Sequence, residues 1–499
     1  MKTNRLIISV IAMTVSAALE AQTTFDAAKL YEEELNGTAR YVGMGGAMSA
    51  LGSDPSVISH NPAGIGTYRN SDINTSLSFF GTSVNTDPLF TSGNPGKMNG
   101  RTFYSHNNRS DVNIALDNFS AVFSGSEIGD SYVNFAISYR KLQNMDRDLD
   151  YVDAFLDADG YEVWREYKDH QRNKVNSFDF NLSGNFSDQL YLGWTIGILS
   201  TDTWSEGYFY DYYDKGVHPD YPKGVDYTAV DKMNTSIGTG WNMSFGMIAR
   251  PIPALRLGVA VKTPTWFRQE LGYADYLYAL EGTQYRVVNG KLIQYTLDDV
   301  RDLQVSGFDI PSIDNNVEEL KLSNSVNYKF SSPWTVNLSA GVTFGQTAIG
   351  AEFEKHFTQR SSLSIGNTKM ESQGDMDFND YSTFKIGFEQ NISNLSIRAG
   401  YNYIEPMFKY NAGPYLLDSD FNKDRIDFQV DRLDKTHYFT YGLGYCSAPD
   451  RDGTQFYIDF AYVHGLRNSI VNVNEYNDDV DVKYNYKNNK VLLTVGWSF

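Results

Sequence analysis

The sequence predicts an all-β chain: a transmembrane antiparallel β-barrel of about fourteen strands, with a small, partly helical N-terminal hatch in its lumen. Three observations predict it. Apolar and polar residues alternate with period two in segment after segment. Very short turns take turns with long polar stretches between those segments. An export signal opens the chain.

The signal comes first. Lys2 and Arg5 precede the apolar run Leu6–Val15, which is too short to span a bilayer as a helix. Small residues follow at Ser16, Ala17 and Ala18. Cleavage after Ala21 makes residues 1–21 a signal peptide, with cleavage after Ala18 as the alternative. Residues 22–70 then form the hatch and 71–499 the barrel. Composition agrees. A mean hydropathy of -0.41 excludes a bundle of transmembrane helices. The 14% aromatic content excludes a disordered chain. One cysteine, Cys446, excludes a disulfide framework and a multi-cysteine metal centre. With 61 acidic against 42 basic residues the net charge is -19, so nucleic acid is not expected as a partner.

Strand faces follow from the alternation. In Val133–Arg140 one face is Val133, Phe135, Ile137 and Tyr139, and the other is Asn134, Ala136, Ser138 and Arg140. The same pattern runs through Leu190–Ile198, Leu255–Lys262, Trp334–Phe344 and Leu395–Tyr403. Candidate crossings are 72–84, 112–124, 131–143, 174–187, 190–203, 237–250, 253–267, 333–345, 346–358, 380–391, 394–405, 436–446, 454–466 and 488–499. An even number suits a single-chain bacterial barrel. A soluble sandwich would give shorter strands, and aromatic residues at segment ends (Tyr139, Trp266, Trp334, Tyr403, Trp497) suit interfacial girdles. Arg256, Lys262, Arg398 and Asp459 fall on the polar face, where a wet lumen would accommodate them. The polar stretches 144–173, 204–236, 268–332, 359–379, 406–435 and 467–487 read as long outer loops. The last strand ends on Phe499 and resembles the signal read by the outer-membrane barrel assembly machinery.

The segment before the barrel differs. Thr24–Leu35 suits a short helix. Ala39–Ala50 then carries Gly43, Gly45 and Gly46, and Asp54–Gly66 carries Asn61, Pro62 and Ala63. No strand precedes these glycines and no βαβ unit follows, so a phosphate cradle is not expected. Small residues permit close backbone packing, as a plug needs. Asn61 and Pro62 also suit a tight turn.

The run Ala39–Gly66, with its Gly-Gly-Ala and Asn-Pro-Ala elements, resembles the N-terminal hatch of the FadL/TodX family of outer-membrane transport proteins. Pro253–Val259 with Lys262, Thr263 and Pro264 resembles a barrel segment of that family. The resemblance implies a monomeric channel in the outer membrane of a Gram-negative cell, surrounded by outer-membrane lipid. It would take up hydrophobic molecules passively, such as long-chain fatty acids or aromatic hydrocarbons. It implies gating by the hatch (Gly45, Gly46, Asn61, Pro62, Ala63) and sideways release at a kinked third strand. Here the chain departs from the pattern, because 131–143 contains neither glycine nor proline. Aromatic loop residues Phe155, Trp164, Phe209, Tyr276 and Phe408 are candidates to line an apolar cleft. An adhesin or receptor that uses its long loops is the competing reading.

No cofactor, catalytic group or metal site is expected. The seven histidines are scattered without ligand spacing. The acidic clusters Asp146–Asp150, Asp157–Gly160 and Asn477–Asp481 lack a full calcium-loop spacing and read as solvated faces.

Overall fold

The computed structural model describes residues 30–32, 34–88, 102–104, 106–109, 112–125, 129–156, 161–213, 225–279, 285–288, 291–294, 318–365, 368–370, 378–407, 427–475 and 478–499. The expected signal peptide, residues 1–21, lies outside them, as does Phe408. So does most of the expected Thr24–Leu35 helix, of which Leu30 and Tyr31 lie in a turn.

Fourteen antiparallel strands close into one barrel. They are β1 Asp72–Pro88, β2 Asn113–Ser124, β3 Ser131–Leu156, β4 Glu162–Phe186, β5 Leu190–Tyr213 and β6 Val225–Ile252. β7 runs Leu255–Lys262 and resumes as Trp266–Ala279; β8 runs Glu318–Ser331 and resumes as Thr335–Phe344. The rest are β9 Thr347–His356, β10 Tyr381–Ile392, β11 Leu395–Ile404, β12 Asp427–Cys446, β13 Gln455–Glu475 and β14 Asp478–Ser498. Each pairs with its sequence neighbours, and β1 closes on β14 from Asp72↔Ser498 to Pro88↔Val482. Closure leaves no sheet edge, which a backbone in hydrocarbon requires.

The alternation sets the faces as expected. Val133, Phe135 and Ile137 are exposed on the outer surface, while Asn134, Ala136 and Ser138 are buried inside. Aromatic pairs stand toward both ends of the apolar band: Phe456–Trp497 near the short turns, and Trp241–Trp266 toward the other rim.

Two expectations are corrected. Much of the sequence read as outer loops is strand. β3 to β6 are 26, 25, 24 and 28 residues long, although a tilted crossing needs only about 9–11. Beyond the apolar band the sequence of these strands mixes polar with aromatic residues, and the apolar period fades while the hydrogen-bond ladder continues. Strands β7 and β8 are each interrupted, around Pro264 and Pro333. Proline offers no N–H to a ladder. The Thr263 hydroxyl accepts from Met243 N at 3.0 Å, and the Ser332 hydroxyl accepts from Thr265 N at 2.8 Å.

Two bulges face each other across the β2–β3 seam. On β2, Asp117 is the extra residue between rungs Ser76↔Asn118 and Leu77↔Leu116. On β3, Leu142 is the extra residue between Lys141↔Asn176 and Gln143↔Val175. The β2–β3 ladder runs from Ser124↔Asn134 up to Asn118↔Arg140 and stops there. Among the described residues, β3 next meets a partner on that side where Val152–Ala154 pairs with Thr102–Tyr104. Bulges thus supply the strand irregularity without glycine or proline.

Residues 34–68 lie inside the barrel and lead down to β1. They contain one short helix, α1 (Ala39–Gly43), and two 3-10 turns, Pro55–Ser59 and Pro62–Thr67. Each start is capped as its sequence dictates. Thr38, Asp54 and Asn61 accept from Tyr41 N, Ser56 N and Ala63 N, and Pro55 and Pro62 take first positions where no N–H is missed. Tyr41, Val42, Met44, Met48, Ile58 and Ile65 are all buried here.

Candidate functional site

The inner segment rests on a track of glycines. Each strand from β5 to β12 carries an inward glycine at this level: Gly193, Gly246, Gly258, Gly341, Gly350, Gly387, Gly400 and Gly442. Six are direct cross-strand neighbours: Gly193↔Gly246 as a pair, and four in a row through Gly341↔Gly350, Gly350↔Gly387 and Gly387↔Gly400. A Cβ would lie 1.9 Å from Ala47 O at Gly350, 2.3 Å from Met44 O at Gly387 and 2.2 Å from Gly45 N at Gly400. No side chain fits there, so backbone lies flush on backbone. Gly45 and Gly46 take positive φ (63° and 80°), and a Cβ at Gly45 would meet Tyr401 N at 2.7 Å.

Asn61, Pro62 and Ala63 dock at the other end of this track. Asn61 Nδ2 donates to Met247 O at 3.3 Å, and Pro62 O accepts from Ser183 Oγ at 2.7 Å. Cβ atoms at Gly193 and Gly246 would strike Pro62 and Asn61. The Asn-Pro-Ala element is therefore a turn and a contact surface at once.

Charge holds the same level. Glu389 receives a bidentate pair from Arg40, both at 2.9 Å, and Arg398 Nε at 2.6 Å; Arg398 also reaches Asp459. Nearby, Lys385 Nζ lies 2.7 Å from Glu352 and 2.9 Å from Glu354, and His60 Nδ1 meets Glu354 at 2.7 Å. Here the expected wet lumen is corrected: Arg398 and Asp459 are buried because the inner segment fills that level. Arg256 likewise donates to Leu51 O. His60, Glu352 and Glu354 converge closely enough to hold a cation, but the Lys385 ammonium already sits between the two carboxylates. On the segment itself, burial is the strongest influence on Asp54 and lifts its carboxyl above the ordinary range. The Thr38 hydroxyl, Arg40 and Ser56 oppose that shift.

Above the track the lumen changes character. A cavity of about 100 Å³ lies between residues 30–36 and the wall. Leu30, Leu142, Leu199 and Phe267 line its apolar side, and they pack into one cluster with Val175, Leu271 and Phe330. Tyr31 stacks on Phe330 with centroids 5.6 Å apart. The chain passes close to the β3 bulge: Glu34 N donates to Leu142 O at 3.0 Å, and Glu32 pairs with Arg467 on β13.

Of the aromatic residues read as loop candidates, Phe155, Trp164, Phe209 and Tyr276 lie on the upper extensions of β3, β4, β5 and β7, not in loops. Register sets Trp164 opposite Ala154 and Tyr212. The apolar cluster was missed. Its signal was present in the sequence: Leu199 follows Ile198 directly and breaks phase, placing an apolar residue on the polar face.

No protein-family model matches the chain, and no curated protein matches it. Solved structures do. A Pseudomonas aeruginosa FadL homologue aligns with TM-score 0.56 at 13% identity, covering 94% of this chain and 99% of that one. The CymD monoaromatic hydrocarbon channel aligns with TM-score 0.52 at 11% identity, covering 94% and 99%. A deltaS2 mutant of the TodX monoaromatic hydrocarbon channel aligns with TM-score 0.50 at 13% identity, covering 92% and 99%. At such identities the likeness is one of fold, and the chain shares its barrel fold with these FadL- and TodX-type proteins.

Proposed function

We propose that the protein is an outer-membrane channel for passive uptake of hydrophobic small molecules, long-chain fatty acids or similar compounds. Residues 30–36 act as its movable cover and the seam between β2 and β3 as its lateral exit. One observation carries the reading: an apolar cluster inside the barrel is covered by the chain's own Leu30 and Tyr31, beside the place where the β2–β3 ladder stops. An apolar molecule that displaces Leu30 gains a comparable contact. From there it is adjacent to a wall position without continuous pairing, and the outer surface there is apolar. Gly45, Gly46 and Asn61–Ala63 hold the lower segment in place as the hatch, so polar solutes do not pass straight through. The fold shared with a FadL homologue and with hydrocarbon channels supports the same reading.

A second reading, a surface receptor or adhesin, draws on the length of β3 to β6 beyond a bilayer crossing. Uptake separates the two. Cells carrying the protein should take up a long-chain fatty acid or toluene faster than cells lacking it. Phe267→Ser should reduce that gain about tenfold while leaving barrel assembly intact, because the cluster loses apolar area worth about 1.5–3 kcal/mol. Uptake of every apolar compound at the rate of cells without the protein would sink the channel reading and leave the receptor.

A further inference from the structure

We propose that the outer face of the barrel carries a site for the phosphate of a lipid headgroup, built on Arg268 of β7 and Lys329 of β8. The site lies on the other side of the wall from the cavity and is independent of what passes through the lumen.

Alternation fixes the direction of both side chains. Phe267 and Gln269 are buried inside the barrel, and so are Tyr328 and Phe330, while Arg268 and Lys329 are exposed on its outer surface. Register sets the two cations directly opposite each other. Opposed side chains of an antiparallel pair stand about 5 Å apart at Cβ, and like charges in that relation destabilise the sheet. Among the described residues neither cation is in an ion pair. The acidic side chain nearest by register on the two strands is Glu270, one outward position further up β7, and it stands opposite Asn327. The same rung continues to Thr239 of β6 beside Arg268, and to Ser364, in the short strand Ser362–Ile365 after β9, beside Lys329. Two cations flanked by two hydroxyls present donors along one line. An oxyanion with several acceptor oxygens matches them and removes the repulsion.

Position makes that anion a lipid phosphate. One outward position lower, the rung reads Trp241, Trp266 and Ser331, and the two indoles lie 4.5 Å apart. Below them the outer surface is apolar, with Phe245, Met247 and Leu257 exposed. Aromatic belts of this kind mark the edge of the hydrocarbon, where headgroups begin. The Arg268–Lys329 rung stands about 7 Å above the indoles, two residues along the strand. A phosphate held there leaves its acyl chains free to run down the apolar wall. The long extensions of β5 and β6 rise on this side, which faces outward in barrels of this kind, so the lipid belongs to the outer leaflet. The rung also stands just above the breaks at Pro264 and Pro333, since Trp266↔Ser331 is the first pair above them. A headgroup bridging β7 and β8 braces the wall where its ladder is broken.

The test follows thermal unfolding of the purified full chain in neutral maltoside detergent, titrated with three probes: diphosphoryl lipid A, the same lipid stripped of its phosphates, and inorganic phosphate. Diphosphoryl lipid A should raise the unfolding temperature saturably, and the other two should not. Arg268→Gln and Lys329→Gln should each weaken its binding about fivefold, and the double substitution about twenty-fivefold, as expected for basic residues near a membrane surface. Lys487→Gln, which removes an exposed cation on β14, should leave binding unchanged. An equal shift from the stripped lipid, an equal shift from inorganic phosphate, undiminished binding by the double variant, or the same loss from Lys487→Gln would each overturn the proposal. None of these outcomes bears on uptake, so the channel reading stands or falls separately.

Discussion

The two levels of the lumen are built on opposite terms. Around Gly341, Gly350, Gly387 and Gly400 the inner segment touches the wall through backbone, while an ion pair joins Arg40 to Glu389 and a hydrogen bond joins His60 to Glu354. A few residues higher, Leu30 and the ring of Tyr31 touch the wall through apolar contact, over a cavity. Apolar contact is non-directional, and another apolar molecule can replace it. Backbone seated on glycine and charge paired in burial cannot be replaced in that way. On the proposed channel reading, the lower level supplies stability and the upper one exchange.

The comparison can be broken first at the charges. Glu389→Ala leaves Arg40 and Arg398 without their shared carboxylate, and removing one partner of a buried pair costs about 3–5 kcal/mol. Denaturant unfolding of the purified barrel should show that loss, and planar-bilayer recordings should show new ion conductance as the segment loosens. Unchanged stability would mean the network is not what holds the lower level. Next comes the track. Gly400→Leu places a side chain where Gly45 N would stand 2.2 Å from its Cβ. Overpacking of this kind costs about 1–3 kcal/mol, and leak conductance with a normal barrel is the expected signature. The smallest effect concerns Asp54. Its carboxyl has a raised pKa in the folded state, so its contribution is fully present below the ordinary carboxylate value and is lost as pH rises through the folded one. Protease nicking of the inner segment should therefore increase with pH above about 4. Asp54→Asn should flatten that profile.

The lower wall was legible in the sequence because one face of each strand there is apolar, as a barrel in lipid would require. All fourteen expected crossings contain a strand, as at 394–405, which covers Leu395–Ile404. The extensions were not legible, because the apolar alternation does not continue through Glu162–Arg172 or Trp204–Tyr213. The site was legible only in part. Gly193, Gly258, Gly341 and Gly400 stood in the polar phase, yet nothing in a strand's own pattern tells that a distant segment will lie on them. The bulges were hidden as well: Asp117 and Leu142 are ordinary residues, and only the registers with β1 and β4 reveal them as extra.

The glycine track also bears on the order of assembly. Residues 43–63 are made before any strand, yet they contact positions on β5 through β12, and Ala39 N bonds the Thr494 hydroxyl on β14 at 2.7 Å. Contacts this distant in sequence form slowly. Threading the segment through a finished ring would drag its charges past the apolar cluster of the upper lumen. A simpler route is for the segment to act as a mandrel around which the later strands curl, with the β1–β14 seam closing last.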